Sequence, residues 1–178
     1  YKSNYIYRIA INESFESGKA VVQEKYETGL RGTSAITYVN YGIHRLLAIS
    51  DFYHTGMTYL IQLNETLMLG PESTVPELST HTYHHGWFSQ GLTWDGQYLF
   101  ETVNNLGTDR VEVLDIKSWL DGGRDHPCHV TSFAFAGPAS EDLANDGFSM
   151  WSSDESTYRF YRLDNYNALL PPDGECNS

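Results

Sequence analysis

The chain has 178 residues, of which 40% are hydrophobic and 14% aromatic, so it can bury the core of one domain or slightly more. Its formal net charge of −12, with no basic stripe, argues against nucleic-acid binding and disfavours association with an anionic membrane. No apolar run long enough for membrane insertion is visible in the sequence. Thirteen tyrosines, eight phenylalanines and fifteen glycines, with one short helical candidate at Lys117–Leu120, favour an all-β fold.

The first element is a strand pattern for which the chain supplies no neighbours. Tyr5-Ile6-Tyr7-Arg8-Ile9 resembles the last strand of a repeat, yet nothing before it in the sequence forms the strands that should precede it. Residues 1–12 are therefore expected to form a separate N-terminal strand, unpaired in its own subunit, that completes a blade of another chain. Tyr5, Tyr7 and Ile9 are its expected assembly residues.

Residues 13–178 contain the same pattern of strands and turns three times. In the clearest copy, a strand at 91–94 leads through Asp95-Gly96, a dipeptide typical of tight hairpins, into strands at 97–103 and 110–116. The last strands of successive repeats end 54, 53 and 47 residues apart, at Ile9, Leu63, Ile116 and Leu163. This period is typical of propeller blades.

The repeats predict an all-β, β-propeller-like fold of about three four-stranded antiparallel blades plus the unpaired N-terminal strand. Residues 18–26 are expected to be the innermost strand of the first blade, and the third blade is expected to begin at His129. Long connections at 70–80 and 121–127 separate the blades, and connections of this length are often functional. Three blades alone leave open flanks that another surface must cover.

Two glycosylation sequons begin at Asn12 and Asn64, each directly after the last strand of a repeat. The two cysteines, Cys128 and Cys176, have no metal-ligand spacing. Bridged, they would staple the C-terminal tail to the last blade and contribute roughly 3–4 kcal/mol in the chain-entropy model; the alternative is two unrelated thiols. These features predict a secreted, extracellular glycoprotein with N-linked glycans, and we expect that the sequence begins on a mature or truncated chain.

The segment Phe88-Ser89-Gln90-Gly91-Leu92, followed by Asp95-Gly96 and Leu99-Phe100-Glu101-Thr102, resembles the signature of the glutamine cyclotransferase family. The members of that family are five-bladed propeller enzymes that close an N-terminal glutaminyl residue into pyroglutamate. The resemblance implies catalytic roles for Gln90, Glu101 and Glu141. Glu141 stands 51 residues after Gln90, where the family carries its proposed acid/base residue, but Asp142 replaces the glycine that follows it in the family.

The positions of Gln90 and Glu141 suggest chemistry without reference to any family. Both precede the second strand of a blade, where side chains face the mouth of the channel. A paired amide and carboxylate at such a mouth would hold a substrate amine and move a proton. The alternative is a structural hydrogen bond from one blade to the next.

The densest group of histidines, His81, His84 and His85, stands beside Trp87. His84, His85 and Trp87 are candidates for contact with a ligand, and ordinary packing is the alternative. Clustered imidazoles also suit a metal ion, but carboxylates or thiolates at ligand spacing are missing, so neither a metal nor a cofactor is predicted. Trp94 and Trp151 are expected to wedge between blades rather than to stack on sugar rings.

The leading functional prediction is a secreted, glycosylated structural or interaction protein. It would associate with itself or with another extracellular chain through β-sheet edges or strand exchange, giving an oligomer or a filament. The first alternative is a glutaminyl cyclotransferase-like propeller enzyme, or part of one, and the second is a carbohydrate-binding lectin.

Overall fold

The computed structural model describes residues 5–52, 56–64, 79–84, 88–105, 108–135, 137 and 139–171. The strands within these ranges are β1 Tyr5–Ile9, β2 Val22–Glu27, β3 Thr33–Tyr41, β4 His44–Asp51, β5 Met57–Gln62, β6 Ser79–His84, β7 Phe88–Trp94, β8 Leu99–Asn105, β9 Thr108–Asp115, β10 Cys128–Ala134, β11 Ser140–Asn145, β12 Ser149–Asp154 and β13 Arg159–Asp164. The α-helices are α1 Ile11–Ser17 and α2 Lys117–Leu120, and a 3-10 helix spans Tyr166–Leu169. The predicted all-β character is confirmed.

The strands of the described ranges form four antiparallel sheets, numbered here in chain order. Sheet I contains β1 and β2, sheet II β3–β6, sheet III β7–β10 and sheet IV β11–β13. Consecutive strands are neighbours in every sheet, so each sheet is a meander. Among the described residues no ladder of backbone hydrogen bonds joins one sheet to another.

Aspartate side chains build the turns between the first two strands of sheets III and IV. The backbone N–H groups of Gln97 and Tyr98 each donate to Asp95 Oδ1 at 2.7 Å. Asp146 Oδ1 accepts equivalent bonds in sheet IV, from Phe148 at 2.9 Å and Ser149 at 2.7 Å. The hairpin predicted at Asp95-Gly96 is confirmed.

The boundaries of the sheets differ from the predicted blades by one strand. Residues 18–26, expected to be an innermost strand, contribute to β2 of sheet I, and β3 begins sheet II instead. Similarly, β10 does not open the third repeat but closes sheet III, where Cys128 lies opposite Asp115. The prediction failed because a period of about fifty residues is the same whichever strand begins the repeat. The hydrogen-bonded pairing between strands decides at which strand each sheet begins.

The prediction of an unpaired N-terminal strand is wrong, because β1 pairs antiparallel with β2, with Tyr5 opposite Glu27 and Ile9 opposite Val22. Helix α1, which the strand pattern did not predict, lies between them and reverses the chain. The Ser14 hydroxyl holds this reversal: it donates to the carbonyl oxygen of Ala10 at 2.6 Å and accepts from the N–H of Val21 at 2.8 Å. These local hydrogen bonds hold β2 beside β1, so β1 is paired within its own chain.

Within the described ranges, the core consists of three layers of side chains, each between two successive sheets. Sheets I and II meet at a cluster that includes Ile6, Tyr26, Ile49, Tyr59 and Ile61. Sheets II and III meet at a cluster that includes Val39, Leu46, Leu60, Leu92, Leu99 and Leu114. Sheets III and IV meet at a cluster that includes Phe100, Val111, Val113, Leu143 and Met150. Within the described part of the chain, neither α-helix has the length and apolar character needed to span a membrane.

The two tryptophans expected between sheets have different environments. Trp94 packs against the cluster between sheets II and III, in agreement with the expectation. Trp151 instead donates from Nε1 to Asp146 Oδ2 at 2.9 Å, and the guanidinium of Arg162 lies 5.4 Å from its ring centroid. Trp151 therefore braces a turn and the outer face of sheet IV, where no further sheet packs among the described residues.

Candidate functional site

The first strands of sheets II, III and IV each contain a β-bulge near their start. The pairing register shifts between Thr33 and Ala35 in β3, between Ser89 and Gly91 in β7, and between Ser140 and Asp142 in β11. The residues passed over are Ser34, Gln90 and Glu141. A bulge redirects the side chain of its extra residue, and bulges are frequent beside functional sites.

The three bulge residues line one cleft of about 400 Å³, which we call the bulge cleft. Its remaining lining residues are Gly32, Thr33, Phe52, Asp142 and Glu155. The first strands of the sheets lie side by side, with β7 between β3 and β11. Equivalent positions of three sheets therefore converge on the same space.

Gln90 and Glu141, which the sequence singles out as a pair, are in direct contact. Gln90 Nε2 donates to Glu141 Oε1 at 2.6 Å and so connects sheet III to sheet IV. This contact is the sheet-to-sheet hydrogen bond named above as the structural alternative. Because both residues also line the bulge cleft, the same arrangement would present an amide and a carboxyl group to a bound molecule.

The carboxyl group of Glu141 titrates above its usual range. Burial raises its pKa most, and the negative charge of Glu155 raises it further, against a lowering by the hydrogen bond from Gln90. Asp109 adds a smaller increase. A carboxyl group with a raised pKa exchanges protons closer to neutral pH, as general acid–base chemistry requires.

Ser34 fixes the position of sheet II relative to the cleft. Its hydroxyl lies 2.7 Å from the backbone carbonyl oxygen of Ser89, to which it donates, and 2.9 Å from the hydroxyl oxygen of Ser50. The first contact crosses from sheet II to sheet III. Ser34 is thus a positioning residue at the wall of the cleft.

Asp142 faces solvent in the cleft, yet its carboxyl group is perturbed. The surrounding protein atoms desolvate it and raise its pKa, while the backbone N–H of Leu143, which donates to Oδ1 at 2.8 Å, lowers it. Glu141, Asp142 and Glu155 together make this end of the cleft acidic, and none of the described residues that line it is a lysine or an arginine.

Glu101, the third residue implied by the family resemblance, is not among the lining residues of the bulge cleft. It is fully buried on β8 and accepts a hydrogen bond from Thr58 Oγ1 of β5 at 2.6 Å. Its carboxylate therefore connects sheets II and III, away from the Gln90–Glu141 pair.

The predicted histidine site is only partly described. His84 is exposed at the end of β6, and His85 and Trp87 lie outside the described residues. His81 packs its ring edge-on against Trp119, with centroids 4.9 Å apart, and burial lowers its pKa. Positions 81 and 84 face opposite sides of a strand, so these two side chains do not converge. Among the described residues, no three metal-ligating side chains come together.

Three of the four predicted modification sites, Asn12, Asn64 and Cys128, lie among the described residues. Asn12, on α1, and Asn64, after β5, are both exposed, and their glycosylation stays a prediction. Cys128 is buried at the start of β10. Cys176 lies outside the described residues, and its pairing with Cys128 stays a prediction.

Sequence analysis missed Ser34, Phe52 and Glu155 as cleft residues. Ser34 has a signal in the sequence, because Thr33-Ser34-Ala35-Ile36, Ser89-Gln90-Gly91-Leu92 and Ser140-Glu141-Asp142-Leu143 share two polar residues at the start and an aliphatic residue in the fourth place. Phe52 and Glu155 have none, since each follows the second strand of its sheet and reaches the cleft only through tertiary packing.

Comparisons of the chain with protein-family models, with curated proteins and with solved structures find no match.

Proposed function

We propose that this chain is a propeller-like, secreted and glycosylated interaction module that associates with other polypeptide chains through sheet I. Each of sheets II and III is covered on both sides by its neighbours, as blades are in a propeller. Sheet I has such cover on one side only, within the described residues. Glycosylation at the exposed Asn12 and Asn64 would accompany an extracellular location.

The observation that carries this proposal is the exposed apolar face of sheet I. Ile6 and Tyr26 point inward and pack on sheet II. On the opposite face, Tyr7 is 47%, Ile9 45% and Val22 49% exposed, beside the charged side chains of Lys25 and Glu27. Contiguous apolar side chains on a surface mark contact sites, and covering such a side chain fully is worth about 1.5–3 kcal/mol.

The number of strands in sheet I supports the same conclusion. A two-stranded sheet is marginally stable by itself, whereas sheets II and III each have four strands. An edge strand with apolar residues readily accepts a further strand from another chain. Additional strands or a further sheet would therefore complete sheet I and cover its apolar face.

Analytical ultracentrifugation of the glycosylated chain tests this proposal. We expect the chain to sediment at a multiple of the mass of one glycosylated chain, whose polypeptide is 20.2 kDa, and Ile9→Lys to return it to monomer, because a lysine would be buried in the contact. Ile43→Lys is the matched control, since Ile43 is 89% exposed in the turn between β3 and β4, away from sheet I. A wild-type chain that stays monomeric at every concentration would refute association between copies.

A second candidate function, an acid–base enzyme of the glutaminyl cyclotransferase type, is favoured by the contact between Gln90 and Glu141 and by the raised pKa of Glu141. In that reaction the α-amine of a glutaminyl peptide attacks its own side-chain amide carbon, and the bond to the departing ammonia breaks. Glu141 would take the proton from the amine and return it to the leaving group.

Mass spectrometry of a peptide with an N-terminal glutamine measures this activity as loss of ammonia. We expect Glu141→Gln to abolish it, since the amide cannot exchange a proton with the substrate. Glu13→Gln, on the exposed surface of α1, should not change it. Equal turnover by wild type and Glu141→Gln would exclude the proposed role of Glu141.

A further inference from the structure

A second cleft, of about 350 Å³, lies between sheets I and II. We call it the edge groove. It is lined by residues 5–7 of β1, residues 33–36 of β3 and Asp142 of β11. Successive residues of a strand point to opposite faces, so a cleft lined by consecutive residues borders the backbone edge of that strand rather than one face. Two strand edges therefore face each other across the edge groove.

Both strands lie at the edge of their sheets. Among the described residues, β1 forms a ladder only with β2, and β3 forms one only with β4. The outer edge of a strand presents alternating backbone N–H and C=O groups that an added strand can pair with. The edge groove thus has the shape and the hydrogen-bonding groups to receive an extended polypeptide.

The edge groove is continuous with the bulge cleft, because Thr33, Ser34 and Asp142 line both. Its walls at the end near β1 are mainly apolar, formed by Tyr5, Ile6, Tyr7, Ala35 and Ile36. At the other end stand the carboxyl groups of Asp142, Glu141 and Glu155. A ligand that fills both parts must combine apolar side chains with positive charge.

Charge decides between two kinds of extended polypeptide. A segment of a second copy of this chain is a poor match for the acidic end of the groove, because each copy carries a net charge of −12, even where copies associate through the exposed side chains on the outer face of sheet I. A basic segment is attracted both by the whole molecule and by the acidic end of the groove. Burial and the negative charge of Glu155 raise the pKa of Glu141, and burial raises the pKa of Asp142. A bound cation would lower both pKa values, because it stabilises the charged carboxylates.

We propose that the edge groove binds an extended, basic polypeptide segment of a partner chain, which adds as a strand to β1 and places a lysine or arginine against Asp142 and Glu141. This inference rests on the proposed role of sheet I in binding polypeptide chains. It adds that the bound segment is basic and that it runs from β1 towards the bulge cleft. Apolar residues of the segment pack between β1 and β3, and its basic residue reaches the bulge cleft.

Fluorescence anisotropy with synthetic peptides tests the proposal. The probe is a labelled peptide of alternating valine and threonine that ends in two lysines, compared with the same peptide ending in two glutamines. We expect the lysine peptide to bind about tenfold more tightly at low salt, since only that peptide places a partly desolvated positive charge against Asp142 and Glu141. We expect this preference to shrink as salt rises, because exposed charges are screened.

A substitution in the protein and a modification of the peptide distinguish binding in the edge groove from non-specific electrostatic attraction. Asp142→Asn should lose most of the preference for lysine while keeping the acceptor for the N–H of Leu143. Asp125→Asn, an exposed aspartate outside both clefts, should keep it. N-methylation of alternate amides in the peptide should abolish binding, because a strand added to β1 needs those donors. Equal binding of both peptides, or tolerance of N-methylation, would overturn the proposal.

Failure of this inference and failure of the proposed function give different results. If Ile9→Lys disrupts association in the centrifuge but neither peptide binds, the edge groove is not a peptide site and the role of sheet I stands. If the peptides do not bind and the chain is also monomeric, both proposals are wrong. Circular dichroism of each variant verifies that it has kept its strands.

Discussion

Gly91 is the position where the packing of sheets III and IV is most sensitive to one added methyl group. A Cβ placed there would lie 2.6 Å from the backbone nitrogen of Leu143 and 2.8 Å from the Cα of Asp142. Ordinary van der Waals contact begins at 3.4 Å, so β7 and β11 would have to separate by about 0.8 Å (3.4 − 2.6). Both sides of this contact are backbone, which cannot rotate away.

We therefore expect Gly91→Ala to destabilise the protein by about 3 kcal/mol, the upper part of the range for overpacking, because the shift also loosens the cluster around Met150. Urea unfolding followed by circular dichroism measures the change. Gly42→Ala is the control: Gly42 has φ 57 and open space around it, so only backbone strain of about 1–2 kcal/mol applies. A Gly91→Ala protein that is as stable as the control would refute the close approach of β7 and β11.

Three further predictions concern side chains of the sheets and the cleft. Thr58→Val should cost about 1–3 kcal/mol in urea unfolding, because it removes the donor to the buried Glu101 carboxylate, whereas Thr58→Ser should cost less because it retains the hydroxyl. Glu141→Gln should flatten the pH dependence of the melting temperature. The folded pKa of Glu141 is raised, so wild type loses stability as pH rises from the unfolded value towards the folded one, and a wild-type profile in the variant would contradict this. Asp154→Asn should lower the melting temperature at pH 7 but not near pH 2. Burial favours protonation of Asp154, but hydrogen bonds from Ala139, Thr157 and Ser156 lower its pKa to about 2, so its contribution is present above the unfolded value and is lost as pH falls towards 2. A difference that persists at acid pH would exclude this linkage.

The pairing of Gln90 with Glu141 shows how far a repeat in the sequence leads towards a site. Their spacing of 51 residues placed them at equivalent positions of successive repeats, and the structure joins them by a hydrogen bond. Both side chains enter one cleft because each lies in a β-bulge, and the hydrophobic alternation of the sequence does not reveal these bulges. A bulge depends on the register of two strands, which a single strand does not encode.

Sheet I shows the opposite case. The alternation of Tyr5, Tyr7 and Ile9 correctly indicated a strand, and these side chains are exposed, while their role in assembly stays a prediction. Its pairing with β2 depended on α1, whose closing hydrogen bonds through Ser14 are local. The strand is therefore paired on one side and still lies at the edge of its sheet.

By itself, the sequence determined the class of the fold, the positions of most strands and the Asp-Gly turns, because alternation and turn chemistry act between residues close together in the chain. The tertiary structure decided which strand begins each sheet, how β1 is paired and which residues of three sheets share a cleft. Those features depend on contacts between residues far apart in sequence. Their free energies arise from ladder pairing and packing between sheets, which no local pattern contains.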